Sequence, residues 1–200
     1  MPDDQHPEPP AMPMLRAERI YLRPSERSDL PLFVRWLGDA ETTSHLALRS
    51  PISQAMEDKW FEQTVEHQGR DRYHFVICLL DDGRPIGAAD LRDIDQENGH
   101  ADFGIVIGEK GEWNRGYGTE ALAALCDFGF GQLRLERIAL DVYAGNARAQ
   151  RSYEKAGFVL EGTLRHAHFA DGRYIDVLRM SLLRAEWEAQ ARPKSWEFAG

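Results

Sequence analysis

Two dipeptides constrain this chain more than any other feature of its sequence. Asp82-Gly83 and Asn98-Gly99 each stand between apolar runs of strand length, and both pairs supply the positive φ that type I′ hairpin turns demand. Three consecutive antiparallel strands are therefore expected at 75–80, 86–94 and 101–107. Such a meander must bury an apolar face against other elements, and the flanking sequence provides them. Upstream, Ile20, Tyr21 and Leu22 form a short strand with its apolar side chains on one face, ended by Pro24. A helix capped near Ser28 and Asp29 carries Leu32, Phe33, Trp36 and Leu37, and a second, opening near Ser53, buries some of Met56, Trp60, Phe61 and Val65. Downstream come a helix at 119–130 and a strand at 137–143 with Ile138, Leu140 and Val142 on one face. A helix at 147–156 follows, closed by Gly157, and then strands at 158–168 and 174–182 around Asp171-Gly172. The expected order, β-α-α-β-β-β-α-β-α-β-β, is a mixed α/β domain around one central sheet.

Composition narrows the function. Acidic residues number 33 and basic ones 24, a net charge of −9, which argues against nucleic-acid binding because that needs surplus Lys and Arg to displace counterions. No apolar run approaches the ~20 residues of a membrane span, and no basic patch precedes an apolar stretch as a secretory signal would. Cys78 and Cys126 sit inside apolar stretches without metal-ligand spacing. They read as buried thiols of a cytoplasmic protein. Five of the ten prolines fall in the first thirteen residues, so 1–14 is expected to be a flexible leader and 15–200 a single domain.

Arg115-Gly116-Tyr117-Gly118-Thr119, preceded by Asn114, lies between a strand and a helix. Its physical reading is a diphosphate cradle: glycines admit an oxyanion close to the backbone, successive N–H groups point inward, and the helix N-terminus adds partial positive charge. No Gly-Lys-Ser/Thr follows, and the third glycine and distal acid of a dinucleotide fold are missing. A diphosphate carrier other than ATP or NAD is implied.

Taken with the 146–158 helix (Asn146 to Phe158) and the Asp171-Gly172-Arg173-Tyr174 hairpin, this loop resembles that of the GNAT superfamily of acetyl-coenzyme A-dependent N-acetyltransferases. The likeness is to the branch holding ribosomal-protein N-terminal acetyltransferases and spermidine acetyltransferases, and it spans about residues 15 to 187. It implies a single mixed, mostly antiparallel sheet flanked by helices, with acetyl-coenzyme A as cosubstrate. Gly116 and Gly118 match the two small positions of the family's cofactor loop, whereas Trp113 departs from its first position. Asn146 matches the asparagine that contacts the pantetheine arm, and Tyr153 the tyrosine proposed to protonate the leaving thiolate. Ile105, Val106 and Ile107 match the splayed strand that pairs with the pantetheine and polarises the thioester carbonyl. Asn114, Arg115, Tyr117, Thr119 and Arg148 complete the expected coenzyme set.

Acetyl transfer needs a neutral amine, a stabilised oxyanion and a protonated leaving thiol. A lysine-like amine of pKa ~10.4 is neutral in only about one molecule in 2,500 at pH 7, an α-amine near 7.8 in roughly one in seven. Asp90 is the expected base, since the spermidine-acetylating relatives carry a carboxylate there. Asp102 is the other candidate, and a water-relayed path without a single base stays open. Neither cysteine has an activating neighbour, so direct attack is expected. His166 and His168 occupy alternate strand positions without a third ligand type nearby, so no metal is expected. Trp36, Trp60 and Phe61 fit either core packing or the acceptor wall that this family builds from its first two helices. The acceptor is expected to be a protein N-terminus, a polyamine or another small amine, with no nucleic acid or membrane as partner. Two edge-forming hairpins leave room for a homodimer. The alternative is a non-catalytic acyl-coenzyme A sensor, which would retain the same loop.

Overall fold

The structure, a computed structural model, describes residues 15–48 and 51–198; the leader expected at 1–14 lies outside the described residues. In chain order it comprises β1 (Leu15–Arg16), β2 (Ile20–Pro24), α1 (Leu30–Leu37), α2 (Ala40–Thr43), α3 (Gln54–His67), β3 (Tyr73–Leu79), β4 (Pro85–Asp95), β5 (His100–Ile107), α4 (Tyr117–Gly131), β6 (Arg137–Tyr143), α5 (Ala147–Lys155), β7 (Val159–Ala170), β8 (Arg173–Leu183) and α6 (Arg184–Glu188). The strands form one eight-stranded sheet in the order β1-β2-β3-β4-β5-β6-β8-β7. Every pairing is antiparallel except that of β5 with β6.

Strand alternation divides the core between the two faces of the sheet. Ile20, Leu22, Phe75, Ile77, Leu91 and Phe103 pack with α4 in the larger cluster. Tyr21, Val76, Cys78 and Ala88 pack with Phe33 and Trp36 of α1 and Phe61 of α3 in the smaller one. The first strand therefore buries both faces rather than one, because helices cover the sheet on each side. Cys78 and Cys126 are buried free thiols, and burial raises the pKa of both.

Two sequence expectations need correction. The hairpins after β3 and β4 are not type I′: only Gly83 (φ 71°) and Gly99 (φ 67°) are left-handed, while Asp82 and Asn98 are not. The connections at 80–84 and 96–99 are too long for two-residue turns. Carboxylates close them instead, Asp82 accepting from the Arg84 N–H at 2.9 Å and Asp95 Oδ1 from Glu97 and Asn98 at 3.0 and 2.9 Å. Asp171 (φ 51°) and Gly172 (φ 76°) do provide the paired positive φ of type I′. Secondly, the first helix is entered through a 3-10 turn, Arg27–Asp29, in which Asp29 accepts from the Glu26 N–H at 2.8 Å and ion-pairs with Arg23 at 2.7 Å. On α3 the expectation holds: Ser53 caps the helix by accepting from the Met56 N–H, and of the four residues named Phe61 is buried and Trp60 half-buried while Met56 and Val65 are exposed, with Glu57 and Thr64 completing the buried face.

The C-terminal segment is held by one carboxylate. Asp127 of α4, 1 % exposed, accepts from the Trp187 indole at 2.7 Å, Arg192 at 2.7 and 2.9 Å, and the Ser195 N–H at 2.7 Å. Asp127→Asn keeps the shape but removes the charge and turns donors toward donors. We expect it to lower unfolding stability by about 2 kcal/mol. In a urea melt the midpoint should fall with an unchanged slope, and a loss below about 0.5 kcal/mol would contradict this role.

Candidate active site

The parallel pair β5–β6 is joined only over His100–Asp102 and Arg137–Ala139. Beyond Asp102 the strands part, because β6 stays paired with β8 along its whole length while β5 stays with β4. Tyr153 of α5 packs into the opening, its ring edge-on to Phe103 at 6.4 Å and tilted against Phe158 at 6.2 Å. Main-chain groups of alternate residues point to opposite strands. The Gly108 N–H donates to the Ile86 carbonyl of β4 at 2.9 Å, which fixes the parity: the N–H and C=O of Ile105 and Ile107 face the gap, where the Ile107 carbonyl accepts from the Trp113 indole at 2.7 Å.

At one end of the gap lies the glycine loop. Asn114 (φ 63°) and Gly116 (φ 89°) are left-handed, and Gly116 caps α4 without any side-chain cap bond. Its carbonyl accepts from Thr119 and Glu120 at 3.0 and 3.1 Å. Among the described residues no acceptor meets the N–H groups of Asn114, Arg115, Gly116, Tyr117 or Gly118. They are the orphan donors of a helix start, on a loop whose outer side is braced: Arg19 pairs with Glu120, donates to the Arg115 carbonyl at 2.8 Å and lies 4.7 Å over the Tyr117 ring. A Cβ built on Gly118 would stand 3.8 and 3.9 Å from Ile107 and Ile105, across the cleft. The loop thus offers donors, positive helix-end potential and an open passage, which fits a diphosphate followed by a narrow chain.

Loop and gap form one cleft of about 880 Å³. Asn114, Gly116, Tyr117, Gly118 and Thr119, the strand residues Ile105, Val106 and Ile107, and Asn146, Arg148, Tyr153 and Asp90 all line it. Arg115 does not: its side chain is exposed and reaches Glu112 at 3.2 Å. Asn146 caps α5, its Oδ1 accepting from the Ala149 N–H at 3.1 Å. Arg148 lies 4.4 Å over the Trp113 ring. The residue that departs from the family's loop pattern is therefore a strut between strand, loop and α5. Arg151 and Lys155 also line the cleft, adding positive charge.

Asp90 and Arg92 share a face of β4 and bond at 2.8 Å. They lie over Gly104, where a Cβ would collide with both; a strand glycine marks such a close approach. Burial raises the Asp90 pKa, opposed by Arg92 and Arg72. Burial likewise pushes the Tyr153 phenol up to about 12. Asp102 is tied to Arg179 at 2.6 and 3.2 Å and lies outside the cleft lining. His166 sits at a left-handed position (φ 52°) in an irregular stretch of β7, and the Tyr143 hydroxyl lies 3.0 Å from His168.

A sheet parted beside a glycine-led helix start is the architecture of an acyl-coenzyme A N-acyltransferase. Comparison with known proteins agrees. Residues 19–159 match the acetyltransferase (GNAT) domain model. An uncharacterized N-acetyltransferase, p20, of Bacillus licheniformis is 32% identical over 178 residues, 88% of this chain and 99% of the relative. The spermidine N(1)-acetyltransferase of Escherichia coli is 29% identical over 88% of this chain and 92% of its own length. Among solved structures, the Vibrio cholerae spermidine N-acetyltransferase in complex with CoA and spermine superposes with a TM-score of 0.78 at 27% identity, covering 84% of this chain and 98% of that one. The chain belongs to the GNAT acetyltransferase family and is an acetyl-coenzyme A-dependent amine N-acetyltransferase. None of its helices, among the described residues, is long and apolar enough to cross a membrane.

Proposed function

We propose that the 15–200 unit transfers acetyl by direct attack of a bound primary amine, with Asp90 as base and Tyr153 as acid. The observation that carries the reading is their common position: both line the cleft where β5 leaves β6, one on each side of the strand whose main chain faces the gap. Bound acetyl-coenzyme A supplies the activated acetyl group. Unpartnered N–H groups at 114–118 hold the diphosphate, with Arg148 beside them, and Asn146 presents its amide nitrogen to the pantetheine arm. The N–H groups of Ile105 and Ile107 pair with that arm and polarise the thioester carbonyl, stabilising the oxyanion as it forms. Asp90 takes the proton that the attacking nitrogen sheds as the C–N bond forms, and burial brings its proton affinity closer to that task. Tyr153, protonated throughout the neutral range, donates to the departing sulfur.

The acceptor is a small amine or a protein N-terminus; the similarity to spermidine acetyltransferases supports the amine class. A homodimer belongs to the same reading, supported by Val159, Leu160, Leu164, Phe169 and Tyr174, which stand exposed on the β7–β8 hairpin at the sheet edge.

The test is thiol release over a panel of amines. Asp90→Asn is expected to lower kcat at least about 10-fold, more for a lysine-like amine than for an α-amine. The sign of the pH effect follows from the raised pKa. As pH falls, Asp90 is protonated earlier than an ordinary carboxylate, so wild-type kcat should drop on the acid side and the Asn variant should lack that limb. Equal kcat and identical acid limbs would remove Asp90 from the mechanism.

A further inference from the structure

A second cavity, of about 350 Å³, lies between α1, α3 and strands β3 to β5, on the face of the sheet away from α4. Its walls are aromatic and aliphatic, chiefly Phe33, Trp36, Trp60 and Ile52, over a floor of Ala88 and Val106. Trp60, His74, Ala88 and Val106 line the coenzyme cleft as well. His74 is the cross-strand partner of Asp90, and Ala88 of Val106. The two cavities thus adjoin beside the proposed base.

We propose that this cavity holds the body of the acceptor, and that the acceptor is an arylalkyl primary amine bearing a hydrogen-bond donor at its far end. The assignment rests on the acetyl-transfer reading above. Among the described residues only two polar side chains, Glu57 and His74, line the space. His74 carries no charge there. Its Nδ1 lies 2.6 Å from the Ser25 hydroxyl, its ring meets Trp60 and Phe33 edge-on at 4.8 and 5.8 Å, and burial holds its pKa down near 3. Glu57 is 5 % exposed, and its carboxyl has no hydrogen bond or ion pair among the described residues. Desolvation raises its pKa.

A largely buried carboxyl with no partner among the described residues suits a ligand that brings a donor to it. The remaining lining decides what carries that donor. A polyamine would bring several charged nitrogens into an apolar chamber that holds a single carboxyl among the described residues. A peptide would bring an amide at every residue, with only two polar side chains among the described residues to meet them. An aromatic ring is satisfied by Phe33, Trp36 and Trp60 alone, and the volume suffices, since a cavity of ~150 Å³ takes benzene.

The experiment measures thiol release from acetyl-coenzyme A with tyramine, phenethylamine, spermidine and a tripeptide as acceptors. We expect kcat/KM for tyramine to exceed those for spermidine and the tripeptide by about 10-fold or more, with tyramine also ahead of phenethylamine. Glu57→Gln should then pull the tyramine-to-phenethylamine ratio toward one, a readout independent of how much of the variant folds. Turnover of spermidine or the tripeptide with neither arylalkylamine used would overturn this acceptor assignment and leave acetyl transfer standing. So would a ratio that Glu57→Gln does not move. Thiol release with none of the four amines would overturn both readings.

Discussion

Replacing Gly118 by Ala is expected to weaken coenzyme A binding about 100-fold, near 2.7 kcal/mol, while the free protein becomes no less stable. The two halves of this expectation come from different parts of the geometry. Gly118 lies in the first turn of α4 with ordinary backbone angles, and its added Cβ would meet Ile107 and Ile105 at 3.8 and 3.9 Å, an unstrained contact. Gly→Ala at a compatible site stabilises by ~0.4–1 kcal/mol through the unfolded chain. That same Cβ adds a methyl to the wall of the cleft where loop and strand face each other, narrowing the space proposed for the coenzyme. Gly116 would be a poor substitute for this test, because at φ 89° any side chain strains the turn itself. Calorimetric titration beside a thermal melt separates the outcomes. Unchanged affinity with an unchanged melt would move the coenzyme out of this cleft.

The second large effect concerns Tyr153→Phe. Its hydroxyl makes no protein hydrogen bond among the described residues, while its ring packs against Phe103 and Phe158. Removing the oxygen therefore leaves the packing intact and should not lower the melting temperature. We expect kcat to fall about 100-fold or more, the usual weight of a positioned acid, with KM for acetyl-coenzyme A changed by less than about two-fold. Because burial pushes the phenol up to about 12, wild-type kcat should show no alkaline loss from this group below that range. A variant keeping a third of the wild-type kcat would assign the tyrosine to packing alone.

Much of the arrangement was legible in the chain. Apolar runs divided at Asp82-Gly83 and Asn98-Gly99 set the strands between 75 and 107, alternation set the one at 137–143, and Gly157 (φ 91°) ends α5 as its position suggests. The glycines at 116 and 118 located a loop that opens a helix, and Gly116 there is left-handed (φ 89°). The hairpin type could not be read, since Asp82 and Asp95 close their turns with side-chain carboxylates that a dipeptide signal ignores. Nor could the role of Trp113: its bonds to Ile107 and Arg148 join residues distant in sequence. Gly104 did leave a signal, a glycine amid a strand, that points to the Asp90–Arg92 pair above it. The chamber around Glu57 left none, for an acidic residue on a helix reads as solvated until a neighbouring helix covers it.

The most direct measurement is a crystal structure of the protein with coenzyme A. In it the diphosphate oxygens should lie on the N–H groups between Asn114 and Gly118, the pantetheine between β5 and β6 against Ile105 and Ile107, and the sulfur within hydrogen-bond reach of the Tyr153 hydroxyl. A diphosphate seated anywhere else, or a thiol pointing away from Tyr153, would contradict that arrangement.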